Sequence, residues 1–351
     1  MSGFVSQLEA DTLNEILNDT LPLYIKNELF NQNLDDRPTL KKMREVQKEF
    51  PGGPDVRLNI KGNYAANGTW LNDDGPVNFR NPTGTQQAIY PWYAMHDGIE
   101  LGYGALKAAG FSVGDKGNIS EHSGTDAIRI TNYLETCYED LKESVPMTMQ
   151  SMFWQDGTQD SAASPGLPFF IADAPTTGVV GGVSRATNSF WRNRSLVGAS
   201  KISYSATNQT LTHTLQEEAR QLRRKGGKPD FFPAGSKMMK ALEIEAYAKG
   251  QISQTGFGGT TKVGLGAIFI QGLGMVEYEP MLDDLGYQAR LYCVDTSKIH
   301  PMVMQGEEFK THMPARPHDR FKFYKSITWT GMIVAKQLNS SGVYEVNTSG
   351  L

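Results

Sequence analysis

Six histidines, two cysteines, a glycine-rich run and a few clustered charges are the places in this 351-residue chain where reactive chemistry could sit. His96, His122, His213, His300, His312 and His318 form no HExxH or HxH pair. None is spaced from a cysteine as zinc ligands would be, so each reads as structural or surface. Cys137 and Cys293 stand far apart without a CxxC pattern, as expected of two reduced, mostly buried thiols in a reducing compartment. The sequence contains no G-x-S-x-G elbow of a serine hydrolase.

The glycine-rich run Gly256–Gly274 fails two chemical tests. A Walker loop needs GK[ST] opening a helix, and Lys262 is followed by Val263. A dinucleotide fingerprint lies between a strand and a helix, whereas Gly264-Leu265-Gly266 leads into strand-like Ala267–Gln271. A loop is the expected reading. The basic run Arg220, Arg223, Arg224, Lys225 and Lys228 falls at a helix end, where cations complement the negative pole of the dipole. Asp283-Asp284 and Glu307-Glu308 have no matched partner in sequence for acid–base work and are expected on solvated surface. The search therefore yields no catalytic, cofactor-binding or metal-ligating residue. No enzyme activity and no cofactor are expected.

The elements must then explain the chain. With 39% hydrophobic and 21% charged residues, it can bury one large core or two moderate ones. The first residues carry acids and no apolar run, unlike a secretion signal, and no stretch approaches the roughly twenty apolar residues that span a bilayer. No membrane partner is expected. Leu13, Ile16, Leu17 and Leu21 fall at helical spacing until Pro22 interrupts, and a second helical stretch is predicted over Thr39–Glu49. Its apolar stripe is too narrow to make a core alone, so it must lie on its own subunit or on a neighbour.

Residues 54–90 change character. Asn67-Gly68 and Asp74-Gly75 signal tight turns between short strand-like pieces, and Trp70 and Phe79 stand in an otherwise polar hairpin. A long two-stranded loop is marginal by itself, which points to a supporting partner. A strand is predicted within 88–109 and a strong helix over Thr125–Val145, where Ile130, Leu134, Cys137, Leu141 and Val145 form one stripe. Pro146 should kink or end that helix, because an interior proline costs about 3 kcal/mol. Further on, a helix opens at Thr214 with Glu217 as capping partner, followed by a strand at Pro229–Pro233 and a helix at Ser236–Lys249. Strands are expected around Ala267–Glu279, Gln288–Asp295, Ile327–Ala335 and Val343–Val346. This order gives an α+β class with a mixed central sheet.

Several segments resemble one known family. They are Ile89-Tyr90-Pro91-Trp92-Tyr93, Phe153-Trp154-Gln155-Asp156-Gly157-Thr158, Pro165-Gly166-Leu167 and above all Gly181-Gly182-Val183-Ser184-Arg185-Ala186-Thr187-Asn188-Ser189-Phe190-Trp191-Arg192-Asn193. Tailed-phage major capsid proteins, whose Hong Kong phage fold is shared with herpesvirus shells and encapsulins, carry a similar GG-[IV]-x-R-x-T-x-x-x-W-R-N run just after a Gly-Leu turn. Lys228-Pro229-Asp230, Gly272–Pro280 and Arg290-Leu291-Tyr292 are similar to that family's later strands.

The resemblance covers residues 45–348 and implies an N-terminal arm at 1–50 and an extended loop at 51–90. It also implies a peripheral domain at 91–206 and 302–351, with a spine helix at about 123–150, and an axial domain at 207–301. It implies hexamers and pentamers of one chain closing into an icosahedral shell around double-stranded DNA, assembled in a bacterial cytoplasm. The formal charge of −4 suits a wall that must not grip DNA strongly. Expected partners are other copies, a portal, a decoration protein and, since the chain starts at Met1 without a long coiled leader, a separate scaffolding protein. Lys61 is the single lysine of the extended loop, and nothing in sequence identifies an asparagine acceptor or a catalytic glutamate for a covalent cross-link. The alternatives are an encapsulin-type shell with protein cargo and an α/β enzyme of unrecognised site.

Overall fold

The computed structural model describes residues 37–62, 70, 85–102, 144–224, 226–248, 267–312 and 322–349. In chain order it contains helix α1 (Pro38–Glu45) and strands β1 (Lys48–Phe50), β2 (Asp55–Lys61), β3 (Thr85–Pro91) and β4 (Tyr93–Gly102). Residues 144–154 are helical. There follow α2 (Leu167–Phe170), β5 (Val179–Val180), β6 (Val183–Ser184), β7 (Arg194–Leu196), α3 (Thr210–Arg223), β8 (Phe232–Ala234) and α4 (Ser236–Ala248). The last part holds β9 (Ala267–Ile270), β10 (Gly274–Tyr278), α5 (Pro280–Asp284), β11 (Arg290–Cys293), β12 (Ile299–Met304), β13 (Lys310–His312), β14 (Lys322–Ala335) and β15 (Gly342–Glu345).

Two sheets organise these elements, and each carries its own core. In the five-stranded sheet, the long β14 pairs with β4, β12 and β13, and β1 joins the far side of β12 in parallel. Its core includes Trp329, Met332 and Ile333 of β14, Met149, Phe153 and Trp154 of the 144–154 helix, and Leu40 and Met43 of α1. The six-stranded sheet runs β7-β15-β11-β8-β10-β9 and mixes parallel with antiparallel pairs. It packs under α3 and α4 through Leu211, Leu215, Leu222, Met238 and Leu242. The α+β class and the mixed sheet are as the sequence predicts.

Several boundaries differ. The stretch expected to be helical to Glu49 ends at Glu45, because Lys48–Phe50 gains ladder bonds from β12 that outweigh its helical propensity. Thr39, Leu40 and Met43 are buried, so the end of the expected arm sits on its own chain. Helix α3 begins at Thr210, four residues before the expected start, and Glu217 does not cap it. Pro146 lies near the start of the described helical residues 144–154, and the expected spine helix that it should kink or end lies, before residue 144, outside the described residues. The strand near the C-terminus pairs with β11 and β7 in the six-stranded sheet.

Candidate functional site

The thirteen-residue run at 181–193 folds into a clamp around the root of the extended hairpin, the β2–β3 ladder. Gly181 and Gly182 have φ of +59° and +79°, and they turn β5 into β6. The Gly181 carbonyl accepts a hydrogen bond from the Ile89 amide of β3 at 3.0 Å. A Cβ at Gly181 would lie 2.9 Å from the Ala88 Cβ and 3.1 Å from the Tyr90 ring, so only glycine permits this approach. Phe190 covers Gly62, beyond the end of β2, where an added Cβ would stand 1.9 Å from the ring. Gln86 of β3 donates to Asn188 Oδ1 at 3.1 Å.

The rest of the run holds the clamp in place. Trp191 is fully buried and donates through Nε1 to the Val180 carbonyl. Arg185 is buried, and its Nη2 donates to the Phe169 and Phe170 carbonyls at 2.9 and 2.7 Å, satisfying the end of α2. Burial lowers its pKa to about 10, which still leaves it charged near neutrality. Arg192 donates to the Arg185 and Ala186 carbonyls, and Asn193 to those of Ala172 and Arg194. On the hairpin side, the buried Tyr90 hydroxyl donates to the Ala335 carbonyl of β14 at 2.8 Å. Burial pushes that hydroxyl's pKa upward, so it remains a donor. Every side chain of this set serves backbone geometry. None is arranged as nucleophile and base.

A second junction centres on Glu279, wholly buried between β10 and α5. Its carboxylate accepts from the Thr39 amide and hydroxyl of α1, from Gln150 of the 144–154 helix and from the Met281 amide. Trp154 Nε1 donates in turn to the Thr39 hydroxyl at 3.2 Å. Burial raises the Glu279 pKa, and its hydrogen bonds oppose that rise. One carboxylate thus ties both cores to the leading helix. A third carboxylate, Glu245 of α4, is wholly buried and accepts from the Ser205, Leu211 and Thr212 amides and the Thr212 hydroxyl. It caps α3 from a neighbouring helix, which no spacing within α3 could reveal.

The chemistry-bearing residues do not converge. His96 lies on β4, His213 in α3, His300 on β12 and His312 on β13, while His122 and His318 lie outside the described residues. Among the described residues no group of three or more His, Cys, Asp or Glu could hold a metal ion. No described helix is long and apolar enough to cross a membrane. Cys293 is buried, and burial raises its thiol pKa; Cys137 lies outside the described residues. Of the glycine run, Gly272 and Gly274 are described, and they turn β9 into β10. The acid pairs have structural partners: Asp283 accepts from the Ser236 amide and the Tyr278 hydroxyl, Glu308 pairs with Arg44 and Glu307 with Lys310. An open cavity of about 600 Å³ between β4, β14 and the 144–154 helix has Met95, Met147, Met152, Met281 and Trp329 in its lining, beside polar Ser151, Gln155 and Asp160.

Compared with solved structures, the chain is similar to the capsid subunit of cyanophage A-1(L), with a TM-score of 0.60 at 13% identity, over 89% of this chain and 92% of that one. It is also similar to the capsid of an empty GTA particle, with a TM-score of 0.50 at 8% identity, over 88% and 90% of the two chains. The chain has the tailed-phage capsid fold. No family model matches it, and no curated protein does. In this capsid fold the run that carries the sequence resemblance is the clamp just described. Glu279 and Glu245 were missed in sequence, although a glutamate directly before Pro280 was a legible helix-start signal.

Proposed function

We propose that this chain is a major capsid protein, which assembles through hexamers and pentamers into an icosahedral shell enclosing the double-stranded DNA of a tailed phage. The observation that carries the reading is likeness to a capsid subunit along nearly the full length of both chains. The hairpin geometry supports it. The root of β2–β3 is gripped by the clamp, with Val56, Ile60, Ala88 and Tyr90 buried, while Trp70 beyond the ladder is fully exposed. A rigid root with an outlying apolar ring suits a segment that finds its cover on an adjacent copy.

The mechanism is geometric. One sequence must make slightly different contacts in pentamers and hexamers, so the compact cores stay fixed while the outlying segments adapt. In this reading residues 1–36 are the arm and 51–90 the extended loop. The five-stranded sheet forms the peripheral part, and the six-stranded sheet the axial part. A separate scaffolding protein, a portal and a decoration protein are the expected partners, and packaged DNA is met without sequence preference. The shell forms in the host bacterial cytoplasm, and its role is structural rather than enzymatic.

Expression with candidate scaffolding protein, followed by size-exclusion chromatography and electron microscopy, tests this directly. Capsomers or megadalton particles are expected, and particles from infected cells should hold nucleic acid. A stable monomer or small oligomer under all assembly conditions would refute it, and particles filled with protein cargo would replace the phage assignment with a compartment shell.

A further inference from the structure

One face of the five-stranded sheet gathers lysines that have no ion-pair partner among the described residues. His300 of β12 pairs with Val334 of β14, and Lys48 of β1 pairs in parallel with Met302. Side chains alternate along strands, so Lys48, Met302, His300 and Val334 share one face. Lys336 follows Val334 by two residues on that face, and its amide bonds to the Lys298 carbonyl at 2.9 Å. Burial, with the ammonium groups of Lys48 and Lys298 nearby, lowers the Lys336 pKa. Lys42, Lys201 and Lys310, by contrast, are matched to Asp230, Glu345 and Glu307. Among the described residues, none of Lys48, Lys298 and Lys336 has an ion-pair partner. Beneath them His300 is fully buried, and neither ring nitrogen has a hydrogen bond of normal geometry.

The chain itself carries the complement. Residues 1–36 hold Glu9, Asp11, Glu15, Asp19, Glu28, Asp35 and Asp36 against a single lysine, Lys26. The whole chain is at −4, so the remainder is net positive. That segment joins α1 at Arg37, and α1 is followed within three residues by Lys48. An eight-residue helix spans only about 12 Å, so thirty-six residues reach the cluster easily from the same copy or from one beside it.

We infer that Lys48, Lys298 and Lys336, grouped over His300, form a docking site for the acidic leading segment, residues 1–36, of this chain. Each contact to a solvent-accessible lysine contributes little by itself, so the site works by several carboxylates engaging together, and it weakens with salt.

A zero-length carbodiimide, which joins a lysine to a carboxylate only when the two are in contact, tests this on the full chain. Mass spectrometry of the wild-type protein should find Lys48, Lys298 or Lys336 linked to acids of residues 1–36. Links at Lys42–Asp230 and Lys201–Glu345 serve as internal controls. Mixing heavy- and light-isotope copies tells whether a link lies within one copy or between two. K48Q/K298Q/K336Q should cut those links at least tenfold and leave the controls unchanged. In the unsubstituted chain, 0.5 M salt should also lower the links from residues 1–36 to the cluster, so the outcome does not depend on the variant folding. Control links without any from residues 1–36 to the cluster would overturn the proposal. So would lysine protection from acetylation that appears only when nucleic acid is present, which would make the cluster a phosphate contact.

Discussion

The two glycines at the head of the clamp allow a test in which backbone strain cancels. Gly181 and Gly182 both hold left-handed φ values, so replacing either with alanine costs about 1 kcal/mol of backbone preference. Their clearances differ. A Cβ at Gly182 meets nothing within 4 Å, whereas at Gly181 it meets Ala88 Cβ at 2.9 Å and the Tyr90 ring at 3.1 Å. Ala88 and Tyr90 are buried on β3 and cannot withdraw without loosening the ladder or the Tyr90 bond to Ala335. Overpacking of that kind adds about 1–3 kcal/mol. G181A should therefore destabilise the chain by about 2–4 kcal/mol and G182A by about 1 kcal/mol. Denaturant midpoints at constant slope give the difference, and hydrogen exchange of the Ile89 amide should rise in G181A alone. Equal losses in the two variants would mean that the clamp does not press on the hairpin, and the account of the run would fall.

The remaining expectations concern single groups. Burial, with Lys48 and Lys336 nearby, lowers the His300 pKa to about 4. Below about pH 6.5 the unfolded chain binds a proton that the folded chain refuses, so stability present above pH 6.5 declines toward pH 4, by at most about 3 kcal/mol. H300L should flatten that slope in urea titrations, and an unchanged slope would remove His300 as its source. E245A leaves the first amides of α3 without their acceptor and should cost about 2 kcal/mol, with exchange protection lost first at Leu211 and Thr212. W70A should leave the unfolding midpoint within about 0.5 kcal/mol while lowering particle yield, and unaltered yield would deny Trp70 a role between copies.

Sequence reading was strongest where a pattern was local. The 214–222 stripe and the strands around 267–279 and 288–295 follow from periodicity, although the Gly272–Gly274 turn that divides the first of these into β9 and β10 lay inside an expected strand. It was weakest where the deciding partner is remote. Lys48 and Glu49 read as helix because their propensity is visible and β12, some 250 residues later, is not. Glu245 stands mid-helix with no mark that it caps another helix, and Asp283 reads as a surface acid although it holds the Ser236 amide. The clamp was recognised as a pattern, but its purpose was illegible, since Gly181 makes sense only when Ala88 and Tyr90 are seen against it.

The parallel pairing of β1 with β12 bears on how the chain is made. Lys48–Phe50 waits for Met302–Met304, Thr39 waits for Glu279, and Tyr90 waits for Ala335. The opening portion therefore leaves the ribosome long before β12 can receive it, and Leu40 and Met43, whose core also takes Phe153, Trp154 and Met302, are not fully covered until that strand is made. Chains cut short before Ile299 should leave residues 37–50 open to protease, whereas the finished chain protects them. A fragment that stops before Ile299 lacks the sheet edge that seats its own beginning.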